Sequence, residues 1–137
     1  GFGGGGEKGE VACWGMQRLM SAAVVYVTAP SAEVAKGLAR KLVQRRLAAC
    51  VNVVPGVTSV YEWEGKLEED NECLLMIKTR KELVDKLAEC VQAEHPYDVP
   101  EVISLPIEGG SAKYLDWVLT QTTGEPIEDV SAGNSSQ

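Results

Sequence analysis

Residues 48–63 read AACVNVVPGVTSVYEW, a long run in which β-branched and aromatic side chains predominate. Only the pair Pro55-Gly56 interrupts this run. A strand rises about 3.3 Å per residue, so the run extends about 50 Å, too far for a straight strand inside one compact domain of this size. The pattern therefore predicts a strand that bends or projects from the domain.

A hairpin follows this strand in the sequence. Glu64-Gly65 form a two-residue turn signal, and a partner strand is predicted from about Glu72 to Thr79. A projecting hairpin leaves backbone N–H and C=O groups unpaired along its edges, and proteins commonly cover such edges with another subunit. The length of the hairpin therefore predicts self-association.

The segments around the hairpin add helices to the pattern. Residues 22–28 are β-branched and aromatic, which predicts a strand buried on both faces. Ser31 then begins an amphipathic helix that ends near Arg46. After the hairpin, Thr79 and Glu82 have the spacing of a capping box at the start of a second helix.

A last apolar strand at residues 102–107 and a third helix capped by Ser111 end the folded unit. The order βαββαβ plus a C-terminal helix predicts an α+β, ferredoxin-like domain with two helices on one face of an antiparallel sheet. The expected organisation is a flexible leader at residues 1–21, the domain at residues 22–124 and a flexible tail at residues 125–137.

Composition excludes several classes of function. The net charge of -7 repels phosphate backbones, so we expect no nucleic-acid partner. The apolar runs are too short for a membrane span. The four cysteines lack Cys-x-x-Cys spacing, which excludes a zinc finger and favours reduced, intracellular thiols.

His95 is the only histidine of the chain and opens the run HPYDVPE at residues 95–101. Pro96 and Pro100 fix φ and keep the preceding residues out of helical geometry, which predicts a rigid, extended joint after the second helix. Two interpretations of His95 remain open from the residues alone. It binds a ligand, or it is a polar joint residue that hydrogen-bonds to the backbone.

Several short motifs occur in one order along residues 47–117. They are Leu47-Ala48-Ala49-Cys50-Val51-Asn52, Ser59-Val60-Tyr61-Glu62-Trp63-Glu64-Gly65-Lys66, Lys78-Thr79, His95-Pro96-Tyr97 with Pro100-Glu101, and Tyr114-Leu115-Asp116-Trp117. Together they resemble the CutA (CutA1) family of divalent-cation tolerance proteins. The resemblance extends over about Ala22 to Thr122.

This resemblance implies a ferredoxin-like homotrimer whose long hairpins extend the sheets of neighbouring subunits. It implies copper or another divalent cation as ligand, a role in metal tolerance or homeostasis, and no enzymatic activity. The expected location is the cytoplasm, or an organelle if the leader is the remnant of a targeting peptide. The alternative function is a PII-like signalling or protein-anchoring trimer that binds a small ligand or a partner between subunits.

The resemblance also indicates metal ligands. Bacterial members use a cysteine of the first strand and histidines before the Pro-Tyr pair for copper, and the equivalent positions here are Val27, Glu94 and His95. The predicted ligands are therefore His95 and Glu94, with Cys50 as a third. A nitrogen and a carboxylate suit Cu(II) or Zn(II) better than Cu(I). Cys50 has a second interpretation, a small hydrophobe packed in a central strand.

A set of aromatic and charged residues marks the predicted inter-subunit cleft. Aromatic side chains at subunit contacts bury large areas and keep a polar group available for a ligand. Interface packing alone is the competing interpretation. The residues assigned to the cleft are Tyr61, Trp63, Lys78, Tyr97, Glu101 and Trp117.

Overall fold

A computed structural model describes residues 21–127 of the chain. Its elements are β1 (Ala22–Ala29), α1 (Ala32–Gln44), β2 (Cys50–Trp63), β3 (Lys66–Arg80), α2 (Val84–Glu94), β4 (Val102–Pro106) and α3 (Ala112–Gln121), with a 3-10 turn before α2 at Lys81–Leu83. Over this range the strands form one sheet in the order β2-β3-β1-β4, and every neighbouring pair is antiparallel. The predicted ferredoxin-like α+β fold is confirmed.

The hydrophobic core lies between one face of the sheet and the two helices α1 and α2. Alternate residues of β1 and β3, among them Val25 and Ile77, are fully buried there. Leu42 of α1 and Leu87 of α2 are fully buried against them. The alternation follows from the period of two in a strand, which sends successive side chains to opposite faces.

Helix α3 packs against one end of the opposite face of the sheet, where Arg80 donates to the carbonyl of Leu119. We call this the uncovered face because the described residues form no layer over the rest of it. In the single subunit, the prediction that β1 is buried on both faces holds at Ala22 and Ala23, whereas Val24, Tyr26 and Thr28 on this face are only half-buried. On this uncovered face β1 and β3 present half-buried apolar side chains, and residues of the edge strands are more exposed. Val54 of β2 is 37% exposed, and Ile103 and Leu105 of β4 are 49% and 45% exposed.

The hairpin of β2 and β3 is irregular at the two places that the sequence singled out, Pro55-Gly56 and Glu64-Gly65. Its register shifts between Val54 and Val57, which is a β-bulge, and Gly56 there has a φ of 78°. At the tip Glu64 and Gly65 both have positive φ, the signature of a type I′ turn. Strand β3 begins at Lys66, not near Glu72, because cross-strand pairing with β2 holds an acidic run of low strand propensity.

The ends of the helices test the predicted caps. Ser31 and Ser111 accept hydrogen bonds from the backbone N–H groups three residues on, which confirms both caps. The capping box of Thr79 and Glu82 is wrong, since Thr79 is a fully buried residue of β3. Its hydroxyl donates to the carbonyl of Leu47 at 2.7 Å and so joins β3 to the segment after α1.

The predicted leader, apart from residue 21, lies outside the described residues, as do residues 128–137 of the predicted tail. The first tail residues contact the domain. The N–H of Ile127 donates to the carbonyl of Gln44 at 2.7 Å, and Arg46 Nε donates to the carbonyl of Glu125 at 3.1 Å. The boundary at residue 124 stays a prediction. No helix in residues 21–127 is both long and apolar enough to cross a membrane.

Candidate functional site

His95 lies at the C-terminal end of α2, where its backbone turns extended and its N–H bonds the carbonyl of Val91. The side chain is 7% exposed. Nε2 lies 2.7 Å from the carbonyl oxygen of Thr28 in β1, and the N–H of Tyr97 donates to Nδ1 at 3.1 Å. This pairing assigns the ring hydrogen to Nε2, which donates to Thr28, and leaves the lone pair on Nδ1.

The joint after His95 brings Tyr97 back over the imidazole. The two ring centroids are 4.7 Å apart and the planes are tilted by 53°. The hydroxyl of Tyr97 donates to Glu72 of β3 at 3.3 Å. Burial, followed by the charge of Glu72 and this hydrogen bond, raises the pKa of Tyr97. The joint therefore connects α2, the end of β1 and the hairpin.

Glu94 faces helix α1 and forms two ion pairs there. Lys41 is its nearer partner, and Arg45 lies 3.5 Å away. The hydrogen bond and the charge of Lys41 lower the pKa of Glu94, and Arg45 adds to this effect. A metal ion at Glu94 would compete with Lys41 and Arg45 for the carboxylate.

Cys50 begins β2, which is an edge strand and not the predicted central one. Its thiol is half-buried on the uncovered face, across from Lys78 of β3. It lies near the hydroxyl of Tyr114 in α3. Burial, and then the nearby thiol, raise the pKa of Tyr114.

The predicted ligands do not form a ready metal centre in one subunit. Among residues 21–127, no group of three or more His, Cys, Asp or Glu side chains is arranged to hold a metal ion. His95 offers one nitrogen lone pair, Glu94 is ion-paired to α1, and Cys50 interacts with α3. Their assignment as ligands stays a prediction.

The predicted cleft residues are distributed over the hairpin, the joint and α3. Tyr61 bonds the carboxylate of Asp70, which raises the pKa of Tyr61 to about 12. Tyr97 bonds Glu72, two residues further along β3 than Asp70. Trp63 is 63% exposed near the hairpin tip. The ring centroids of Trp117 and Tyr114 are 5.6 Å apart.

The other two predicted cleft residues are charged. Lys78 is half-buried on the uncovered face, and Glu101 is exposed directly before β4. The sequence did not assign Asp70 or Glu72 to the cleft, and Tyr114 was noted there only as part of a motif with Trp117. The contact of Asp70 with Tyr61 could have been predicted from the sequence. A two-residue turn at Glu64-Gly65 fixes the hairpin register and places Asp70 diagonally across from Tyr61.

These observations define the class of the protein, a ferredoxin-like α+β chain with a long hairpin and an uncovered apolar sheet face. The model of the CutA1 divalent ion tolerance protein family matches residues 23–121. The chain belongs to this family.

Named relatives agree with the family assignment. The chain is 62% identical over 99 residues to the chloroplastic protein CutA of Arabidopsis thaliana, covering 72% of this chain and 54% of that one. It is 62% identical over 98 residues to the CutA homolog of Xenopus laevis, covering 72% of this chain and 65% of that protein. The chain thus spans between half and two thirds of these relatives.

Solved structures are also similar. CutA1 of Oryza sativa has a TM-score of 0.74 at 55% identity, covering 79% of this chain and 98% of that one. The divalent cation tolerance protein CutA1 of Thermus thermophilus has a TM-score of 0.73 at 52% identity, covering 74% and 99%. At these identities the likeness extends to both fold and family.

Proposed function

We propose that this protein acts in divalent-cation tolerance as a homotrimer that binds copper or another divalent cation. The family assignment supports the tolerance role, and the Thermus relative carries that role in its name. The uncovered apolar face of the sheet is the observation that carries the proposal of self-association. Apolar side chains such as Ile103 and Leu105 leave water when a second copy covers them. The proposal includes no enzymatic step.

His95 is the residue that we propose as the first metal ligand. Its Nδ1 lone pair accepts one hydrogen bond, from the backbone N–H of Tyr97. Tyr97 lies in an exposed segment. Displacing that N–H would free a borderline nitrogen donor for Cu(II) or Zn(II). Glu94 and Cys50 remain the proposed further ligands, and each must first leave its present partner. A second subunit would supply any donors still needed.

Calorimetric titration of Cu(II) and Zn(II) into the reduced full chain tests this role. Wild type should bind in a saturable manner with about one ion per subunit, and His95→Ala should lose that binding. Tyr97→Phe keeps the backbone N–H that occupies Nδ1 and serves as the matched control, so it should bind as wild type does. Equal stoichiometry and affinity in His95→Ala would remove His95 from the site.

The aromatic residues favour a second candidate, a PII-like signalling or anchoring trimer. Tyr61, Tyr97 and Trp117 are each about two fifths exposed in the described chain, next to surfaces that self-association would cover. A cleft formed there by two subunits would fit a small ligand or a partner segment. A thermal-shift screen of metabolites tests it, because a specific ligand raises the melting temperature of the trimer further as the ligand concentration rises above Kd.

The location is also a proposal. The cysteine pattern favours the cytoplasm, whereas two plant relatives are named chloroplastic, which supports an organelle. Subcellular fractionation with an antibody against residues 22–124 distinguishes the two.

A further inference from the structure

Glu72 of β3 is a buried carboxylate with little to compensate for its lost hydration. It is 8% exposed, and it accepts a hydrogen bond from the Tyr97 hydroxyl at 3.3 Å. Within residues 21–127 no lysine or arginine forms an ion pair with it. A buried carboxylate that accepts one long hydrogen bond has lost most of its hydration without gaining a counter-charge.

Lys78 lies on the same strand and carries the opposite charge. Its side chain is half-buried, and its ammonium donates to the side-chain oxygen of Asn52 and, at 3.5 Å, to the carbonyl of Met76. No carboxylate in the described part of the chain pairs with it. The exposed lysines of the surface need no such partner, because water solvates them.

Both side chains point away from α1 and α2. Cys73, Leu75 and Ile77 of β3 pack in the core, so alternation sends residues 72 and 78 to the uncovered face. Six residues of strand separate them by about 20 Å. They therefore cannot pair within one chain, although their charges are complementary.

We infer that Lys78 of one copy forms an ion pair with Glu72 of the next copy when the uncovered faces associate. This inference rests on the proposed self-association and names the contact that orients it. A head-to-tail interface uses a different patch on each partner, and it closes into a ring in which every copy supplies one ammonium and one carboxylate. A bound cation or a small anion would compensate only one of the two charges, whereas a second copy compensates both.

A charge-swap experiment tests the pair in the full chain. The variants are Glu72→Lys, Lys78→Glu and the double variant, studied by sedimentation equilibrium over a range of protein concentrations. Glu69→Lys with Lys66→Glu is the matched control, since both are exposed residues of β3. If a swapped variant does not fold, Glu72→Gln, Lys78→Met and their combination form a double-mutant cycle that measures the same coupling.

Each single swap should weaken association about 30-fold or more, and the double variant should regain most of that loss. The control pair should leave association unchanged. Single variants that associate as wild type does, or a double variant no better than the singles, would overturn the pair while leaving self-association intact. A wild type that stays monomeric would instead overturn the proposed oligomer, and the pair with it.

Discussion

The imidazole of His95 shows how one residue connects distant parts of the chain. Its position after a helix and before a proline was visible in the sequence. Its partners were not, because Thr28 lies on β1, 67 residues earlier, and only the folded sheet brings that carbonyl to Nε2. The sequence therefore identified the candidate residue but could not separate a ligand role from a structural one. Cys50 is similar, since its contact with Tyr114 depends on where α3 packs.

Glu94 gives a pH prediction at the same scale. Lys41 holds the folded-state pKa of Glu94 below its ordinary 4.5, so the pair stabilises the fold above about pH 4.5 and loses this effect as pH falls through the lowered pKa. In Glu94→Gln the neutral-pH stability should drop, and its curve should converge with wild type in acid. Urea midpoints from about pH 3 to about pH 7 measure this. Glu89→Gln, exposed on the same helix, is the control. Parallel curves at every pH would contradict the prediction.

At the scale of elements, the sequence patterns located the α-helices and strands of residues 21–127, and the errors in their bounds and caps lie where local signals compete. The acidic residues at the start of β3 favour a loop by propensity, yet pairing with β2 extends the strand to Lys66. Thr79 has the spacing of a cap, yet its hydroxyl bonds Leu47 across the fold. In both cases contacts between elements override a local preference.

Two glycines test the local geometry with opposite expected signs. Gly65 has a φ of 78° in the hairpin turn, so Gly65→Ala should lower the free energy of unfolding by about 1 kcal/mol. Gly37 lies inside α1, where an added Cβ meets nothing within 4 Å. Gly37→Ala should therefore raise the free energy of unfolding by up to about 1 kcal/mol. Urea unfolding at one fixed protein concentration measures both. Changes of the same sign would contradict this account of the turn.

At the scale of the whole molecule, the described chain leaves much of one sheet face without a covering layer. Strand β1 has the composition of a strand covered on both faces, but in the described residues α1 and α2 cover one face and α3 covers only one end of the other. The hairpin length predicted self-association through exposed edges, and the structure adds an apolar face beside those edges. The sequence could not show this second surface, because it does not reveal which layers the chain itself will supply.

Sedimentation velocity of the reduced full chain at micromolar concentration tests the proposed trimer most directly. The expected result is one species of three times the 14.7 kDa chain mass, present with and without a metal chelator. Leu105→Lys should shift the protein towards monomer, because it places a charge on the uncovered face. A wild type that sediments at the mass of one chain across the concentration range would contradict the account.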